Sequence, residues 1–294
     1  MKFGKVDDPT LINFELPVDH ADTSNVLSKY PKLKNPEFRI GYPTWNKQKL
    51  PIYPKGIKDE LPFYSKQFNC IELNATYYRI YPPENFIKWY DKTPADFKFY
   101  PKISQSISQY GRLKDVDRKV DEFLLGVEQL KEKLGMVFLQ LPQSFSPNEM
   151  DKLIAFVKYW PKQFPLGIEF RHEQWFANEN IFEEINELLA SNNMCNLITD
   201  TAGRRDLAHM RLTNPHPFIR FTGANHPVDF SRLDDWFERI KQWISQGVQS
   251  INFMVHQNAE QESVLLANYL IKKLNAELGY DLNVFAKAEQ GELF

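Results

Sequence analysis

Short apolar runs rich in β-branched and aromatic residues recur along the chain from Phe38 onward. Successive runs begin about 30 residues apart, which is the length that a strand, a crossover helix and two loops require. The eight runs are FRIGYPTW from 38, CIELNATYY from 70, FKFYPKIS from 97, MVFLQLP from 136, LGIEFRH from 166, CNLITD from 195, PFIRFTG from 217 and INFMVHQN from 251. The pattern therefore predicts eight strands that alternate with helices.

Helical periodicity occupies most of the gaps between these runs. Residues 117–134 carry apolar side chains at the spacing of a helix with one buried face. Ser146, Pro147 and Glu149 form a start signal for the next helix, because they supply a capping hydroxyl, a first-turn proline and an acidic third residue. Further helices are predicted over 180–190, 231–246 and 260–278, shorter ones over 57–68 and 84–91, and a weak one after Asp200.

The alternation of strands and helices predicts an α/β fold. No glycine-rich turn follows the first run, and polar residues alternate with apolar ones within several runs, which favours a barrel over an open nucleotide-binding sheet. We therefore expect a single (β/α)8 TIM barrel over residues 38–279. Residues 1–37 carry four prolines and no regular period, so they predict an N-terminal extension wrapped around the barrel, and 280–294 predict a C-terminal tail.

Composition then narrows the classes of function. The chain has 36 basic and 38 acidic side chains, whereas a protein that binds mainly by neutralising phosphates needs a strongly basic face, so nucleic acid is a disfavoured but not excluded partner. No apolar stretch approaches the roughly 18 residues of a membrane span, and no membrane association is expected. Cys70 and Cys195 lie in apolar runs, which predicts buried free thiols and a cytoplasmic location. The sequence identifies no protein partner.

Polar residues within the strands share one predicted face. Strand alternation places Glu72 and Asn74 on the inner face of the second run, and Glu169 and Arg171 on that of the fifth. The same alternation selects Lys102, Gln140, Asp200, Arg220, His256 and Asn258 in the other runs. Because (β/α)8 barrels build their active sites at the carboxyl ends of the strands, we expect these side chains to converge there.

Two carboxylates in unequal environments can serve as general acid and general base, since their pKa values separate. We interpret Glu72 and Glu169 as such a catalytic pair, and Asp200 as a third catalytic residue that orients or tunes them. The corresponding reaction classes are hydrolase, lyase and isomerase. The competing interpretation is an ion-pair network that only fills the interior.

The cationic residues of this face suit a small polar substrate that carries an anionic group. Arg171, Lys102 and Arg220 would bind the anion. A Schiff-base role for Lys102 requires a lowered pKa, whereas the neighbouring carboxylates predict a raised one. The remaining predicted substrate-binding residues are Asn74, Gln140 and Asn258 as neutral hydrogen-bonding groups, His172 and His256, and the strand-end aromatics Tyr78 and Trp175.

Two other classes of function stay open at this point. One is a metal-dependent hydrolase or isomerase acting on a phosphate ester, a sugar or a nucleic acid, since carboxylates and histidines at strand ends can hold zinc or manganese. The chain contains neither an HExxH motif nor an HxH after the first strand, so we predict no metal site and no cofactor, with a divalent metal as the alternative. The other class is a ligand-binding protein without turnover.

Several motifs, in this order along the chain, resemble one known family. They are Gly41-Tyr42-Pro43-Thr44-Trp45, Tyr53-Pro54, IELNATYYR, Thr93-Pro94, FKFYPKIS, Leu134-Gly135, LQLP, IEFRHEQW and a strand ending in Asp200. The string is similar to the YecE-like family, the domain of unknown function 72, over residues 38–275. The resemblance implies a bacterial, cytoplasmic TIM-barrel protein and assigns no activity. The family commonly ends its last strand with two asparagines, where this chain has Val255-His256-Gln257-Asn258.

Overall fold

The computed structural model describes residues 4–257 and 263–285, in which parallel strands alternate with helices. The strands are β1 (Glu37–Tyr42), β2 (Cys70–Leu73), β3 (Lys98–Pro101), β4 (Val137–Gln140), β5 (Leu166–Glu169), β6 (Cys195–Asn196), β7 (Ile198–Asp200), β8 (Phe218–Gly223) and β9 (Ser250–Gln257). Each of the eight predicted runs contains a strand, and the sixth run contains two. The strand positions are therefore confirmed.

Most of the helices lie where the sequence periodicity predicts them. They are α1 (Ala21–Leu27), α2 (Leu61–Gln67), α3 (Ala75–Tyr78), α4 (Pro83–Asp91), α5 (Gln105–Ser108), α6 (Asp117–Val127), α7 (Met150–Tyr159), α8 (Gln174–Ala177), α9 (Glu179–Ser191), α10 (Val228–Gln246) and α11 (Ser263–Leu278). Short 3₁₀ helices cover Pro9–Leu11, Glu128–Lys133, Pro147–Glu149 and Arg205–Leu207. Between Asp200 and β8, where the sequence predicts a weak helix, the structure has only the 3₁₀ helix Arg205–Leu207. Ser146 precedes its helix as predicted, but its side chain makes no capping hydrogen bond.

The strands form two parallel sheets, which corrects the expectation of one closed (β/α)8 TIM barrel. The larger sheet has the order β3-β2-β1-β9-β8-β7, and the smaller has the order β4-β5-β6. The sixth run is interrupted at Leu197, so β6 pairs with β5 while β7 pairs with β8. Between β3 and β4 the described residues form only two isolated bridges, Phe99 with Leu134 and Lys102 with Phe138. The ladder of strand hydrogen bonds is therefore not continuous.

Alternate residues of the strands enter two different apolar clusters. Ile71 of β2 and Ile219 of β8 belong to the main core, which the helices cover. Their neighbours Cys70 and Phe218 belong to a second cluster on the inner face of the strands, which also contains Tyr100, Met136, Phe138, Cys195, Leu197 and Met254. This inner cluster lies directly below the polar residues that follow it along the strands. Both cysteines are buried and free, as predicted.

Residues 4–36 pack on the remainder of the chain and contain a 3₁₀ helix, Pro9–Leu11, and the α-helix α1, neither of which the sequence pattern predicts. The Asp19 carboxylate accepts hydrogen bonds from Arg239 at 2.6 Å and from the Trp243 indole at 3.0 Å, both on α10. The Thr23 hydroxyl donates to the carbonyl of Met210 at 2.9 Å. Within the described residues, no helix combines the length and the apolar character that a membrane crossing requires.

The anchor at Asp19 gives a prediction for stability. Asp19→Ala removes two charge-assisted hydrogen bonds between the N-terminal segment and α10, so the free energy of unfolding should fall by about 2 kcal/mol. Urea denaturation followed by tryptophan fluorescence measures the change. Asp7→Ala, which removes an exposed aspartate of the same segment, is the matched control, and equal stability of the two variants would contradict the anchoring role.

Candidate functional site

Eight of the predicted residues lie together at the carboxyl ends of the strands. We call Glu72, Asn74, Lys102, Gln140, Glu169, Arg171, Arg220 and His256 the carboxyl-end cluster. Strand geometry explains the grouping, because Glu72, Gln140, Arg220 and His256 each lie two residues beyond a member of the inner apolar cluster and therefore share its face. Gln140 and Glu169 are direct partners across β4 and β5.

Arg220 is the centre of this cluster. Its guanidinium donates to both carboxylate oxygens of Glu72, with Nε to Oε2 and Nη2 to Oε1 each at 3.0 Å. Its third nitrogen, Nη1, donates to Glu169 Oε2 at 2.5 Å. All three side chains are buried. One cation therefore holds two buried carboxylates, and a fork of donors matches this arrangement better than a point charge does.

The remaining members complete the coordination of the two carboxylates. Glu169 also accepts from Arg171 Nε at 2.5 Å and from Gln140 Nε2, which lies 3.2 Å from each of its oxygens. Glu72 Oε2 lies 2.9 Å from His256 Nε2, and the Asn74 amide donates to Glu72 Oε1 at 2.8 Å.

These contacts keep both carboxylates ionised. Burial on its own raises the pKa of a carboxyl group, but the charges of Arg171 and Arg220 outweigh it and lower the pKa of Glu169 to about 2. Burial likewise opposes ionisation of Glu72, and Arg220 and His256 hold its pKa well below the usual value. Neither group is protonated near neutral pH, so neither is a ready general acid.

Lys102 has the opposite electrostatic behaviour. Burial lowers the pKa of Lys102 to about 7, and Arg220 adds to the effect, while Glu72 and Glu169 oppose it. The two carboxylates do raise this pKa, but burial and the arginines outweigh them, so the expected net increase is wrong. The Lys102 Nζ donates to Gln140 Oε1 at 2.9 Å and lies 4.3 Å from the centre of the Tyr77 ring.

Asp200 belongs to a different network, so its predicted place on the inner face is wrong. Its carboxylate accepts from the Trp236 indole at 2.8 Å and lies 2.9 Å from Arg232, both on α10, with Arg205 as a further partner. The register shows why, since Thr199 pairs with Arg220 and Asp200 pairs with the next residue of β8. Thr199 therefore occupies the inner position. Arg232 and Arg205 lower the pKa of Asp200 against the effect of burial.

The other predicted substrate-binding residues lie outside the contacts of the cluster. Trp175 is fully buried, and its indole donates to the carbonyl of Phe145 at 2.7 Å. His172 Nδ1 accepts from a backbone N–H two residues later. Tyr78 is 71% exposed and packs against Tyr77. Asn258 lies outside the described residues.

Tyr77 also lies at this site, although it is not among the substrate-binding residues predicted from the sequence. It follows β2 on the short helix α3, and its ring covers Lys102. Its position in a run of aromatics is the only sequence signal, and that signal does not distinguish it from Tyr78.

A cavity of about 540 Å³ lies at the opposite, amino ends of the strands. Two pairs of its polar lining groups contact each other: the Tyr100 hydroxyl donates to Asn252, and His216 Nδ1 lies 2.8 Å from the Ser250 hydroxyl. The carboxyl-end cluster instead brings two buried carboxylates and their guanidinium partners into direct contact, and we therefore place the candidate site there.

One group of side chains among the described residues has a geometry that could suit a metal ion. Among the described histidine, cysteine, aspartate and glutamate residues, the group whose ligand atoms lie within 4.8 Å of one another is His20, Asp22 and Glu183. Arg211 already pairs with Asp22 at 2.9 Å. This group joins α1 to α9 and lies outside the carboxyl-end cluster, so the geometry gives no support to a metal centre built on Glu72 and Glu169.

Comparison with known proteins agrees with the resemblance in the motifs. A family model described as "Protein of unknown function DUF72" matches residues 39–289. The chain belongs to the DUF72 family. Among curated relatives, it is 31% identical to UPF0759 protein YecE of Escherichia coli K12 over 69% of this chain and 81% of that protein. It is 29% identical to UPF0759 protein YunF of Bacillus subtilis 168, over 47% and 52% of the two chains.

Solved structures of DUF72 family proteins share the fold of this chain. The match to a protein of Enterococcus faecalis V583 has a TM-score of 0.68 at 18% identity and covers 83% of this chain and all of the other. The match to a protein of Thermotoga maritima MSB8 has a TM-score of 0.66 at 22% identity and covers 81% and 99%. At these identities the likeness concerns the fold alone.

Arg220 should be the residue of the cluster on which stability depends most. Arg220→Ala leaves two buried carboxylates without their shared partner, so the free energy of unfolding should fall by about 3–5 kcal/mol. Urea denaturation at pH 7 measures the change. Arg118→Ala on the exposed face of α6 is the matched control, and a loss no larger than that of the control would show that Arg220 does not hold the cluster together.

The lowered pKa of Glu169 gives a prediction for the pH dependence of stability. In the unfolded chain this carboxyl has its usual pKa of 4.5, and in the folded protein its pKa is about 2. Its contribution is therefore fully present above pH 4.5 and is lost as the pH falls towards 2. Urea denaturation across this range should show a smaller acid loss in Glu169→Gln than in the original protein.

The matched control for that measurement is Glu184→Gln on the exposed face of α9. An acid loss in Glu169→Gln as steep as that of this control would contradict the assignment of an ionised, buried carboxylate at position 169.

Proposed function

We propose that the chain is an enzyme that binds a small anionic substrate at the carboxyl-end cluster and moves a proton at a carbon next to a carbonyl or carboxylate group. This reaction type belongs to isomerases and lyases. The observation that carries the proposal is the placement of Lys102, a buried amine whose Nζ has one hydrogen-bond acceptor among the described residues, Gln140, and whose burial lowers its pKa to about 7. Ionisable groups with strongly shifted pKa values concentrate at functional sites.

The arginines support the binding of an anion and the stabilisation of negative charge. Removal of a proton next to a carbonyl group places negative charge on oxygen, and fixed cations in a buried site stabilise it. Arg171 is the more exposed of the two guanidiniums, with 18% of its side chain accessible against 10% for Arg220. Arg171 is therefore the better placed of the two to bind the anionic group of the substrate, and Arg220 has the structural role at the centre of the cluster.

The proton-transfer roles differ from those that the sequence suggested for the carboxylates. Glu72 and Glu169 are ionised and saturated with donors, which suits fixed counter-charges better than an acid/base pair. His256 is hydrogen-bonded to Glu72 at 2.9 Å, and a carboxylate partner of this kind fixes the orientation of an imidazole ring. We assign proton transfer to His256 and the neutral amine of Lys102, with Asn74 and Gln140 as positioning residues.

Solvent deuterium exchange tests the proposal without knowledge of the natural substrate. Pyruvate, 2-oxobutyrate and dihydroxyacetone phosphate are incubated with the protein in D₂O, and proton NMR follows the loss of hydrogen from the carbon beside the carbonyl. The protein should accelerate exchange in at least one compound, and Lys102→Met should slow it by about 100-fold or more. The control Lys98→Met alters a lysine at the amino end of β3.

Exchange in none of the three compounds, or equal exchange in the two lysine variants, would contradict the proposed chemistry. If these compounds raised the melting temperature without any exchange, the protein would be a ligand-binding protein without turnover.

The pH profile of that exchange gives a second prediction. Only the unprotonated amine of Lys102 takes part, so the rate at saturating substrate should rise with pH through about 7 as the amine loses its proton. A rate that stayed flat or fell between pH 6 and 8 (an interval of roughly one unit on each side of that pKa) would contradict the role of Lys102.

A further inference from the structure

The described part of the chain contains two buried lysines with different surroundings, Lys102 and Lys133. The Lys133 ammonium donates to the carbonyls of Tyr90 and Thr93, each at 2.7 Å, and to the Thr93 hydroxyl at 3.3 Å. An ammonium has three N–H donors, so each of its donors has an acceptor. Lys133 is therefore held as a structural cation.

Lys102 has a much poorer set of acceptors. Among the described residues its Nζ makes one hydrogen bond, to Gln140 Oε1, and otherwise faces the rings of Tyr77 at 4.3 Å and Phe138 at 5.8 Å. The carboxylates nearby are engaged by Arg171 and Arg220. These surroundings give the Lys102 amine one acceptor and two aromatic faces, and they place other cations near it. They therefore favour the neutral amine, which keeps a lone pair on nitrogen.

We propose that Lys102 is a nucleophile that forms a Schiff base with the carbonyl carbon of a small 2-oxo acid or keto phosphate. The inference rests on the proposed function for the location of the site and for the binding of the anion by Arg171. It goes beyond that function by specifying that the amine bonds to carbon. Desolvation beside other cationic groups is a known way to activate a lysine for this chemistry.

The step balances without an oxidant or a reductant. The Lys102 lone pair forms the C–N bond while the carbonyl π electrons move to oxygen. Transfer of a proton from nitrogen to that oxygen gives a neutral carbinolamine. A proton from the imidazolium form of His256 allows the hydroxyl group to leave as water, and the product is a protonated imine. This imine accepts the electrons of the adjacent C–H bond, whose proton passes to the now neutral His256.

The amide of Gln140 joins the nucleophile to the charged part of the cluster. It accepts from Lys102 through Oε1 and donates to both oxygens of Glu169 through Nε2. The amide orientation is thereby fixed, so its oxygen, and not its nitrogen, faces the amine. Gln140 is therefore a positioning residue that fixes the place of the Lys102 Nζ.

Reductive trapping tests this inference directly. The protein is incubated with pyruvate, treated with sodium borohydride, digested and mapped by mass spectrometry. Borohydride reduces an imine to a stable secondary amine, so the pyruvate-derived label should lie on Lys102 and depend on both reagents. Label should be lost in Lys102→Arg and reduced in Arg171→Met, while Lys98→Met should be labelled as the original protein is. Lys133 provides an internal control in every digest.

Each outcome has a separate meaning. Label on Lys102 above the level on Lys133 and the exposed lysines supports the Schiff base. Deuterium exchange without label on Lys102, or label spread evenly over the lysines, overturns it and leaves the proposed proton transfer intact. Absence of both exchange and label overturns the Schiff base together with the proposed function.

Discussion

The interaction on which the site depends is the pairing of Arg220 with two buried carboxylates, those of Glu72 and Glu169. Arg220 and Glu72 belong to the larger sheet through β8 and β2, whereas Glu169 belongs to the smaller sheet through β5. One guanidinium therefore joins the two sheets at the ends of their strands. Removal of three charges from water is costly, and the contacts from Gln140, His256 and Arg171 offset this cost by satisfying the remaining acceptor positions.

The protonation state of Lys102 depends on that pairing. A lysine beside two glutamates is ordinarily held as an ammonium ion, but here the glutamates already have cationic partners. Burial has the largest effect on Lys102 and lowers its pKa, Arg220 acts in the same direction, and the two glutamates oppose this shift without reversing it. The same network thus stabilises the fold and prepares a reactive group. The Lys102 amine, not the carboxylates, becomes the centre of the proposed chemistry.

Sequence periodicity predicts much of this arrangement because strands alternate strictly between faces. Glu72, Glu169 and Arg220 converge as expected, since each lies at an inner position near the end of its strand. Asp200 does not, because the run CNLITD has polar residues on both faces and its pattern leaves the orientation open. The two interruptions that divide the strands into two sheets, at Leu197 and between β3 and β4, have no signal in composition. The pKa of Lys102 depends on which charges pair, and pairing is a property of three-dimensional geometry.

The central claim is that the Lys102 amine loses its proton near pH 7, far below the range of an ordinary lysine. NMR titration of the lysine side chains, with isotope-labelled lysine and Lys102→Arg to assign the signal, measures this directly. We predict a pKa of about 7 for Lys102. A pKa near 10.5, the ordinary lysine value, would contradict the account.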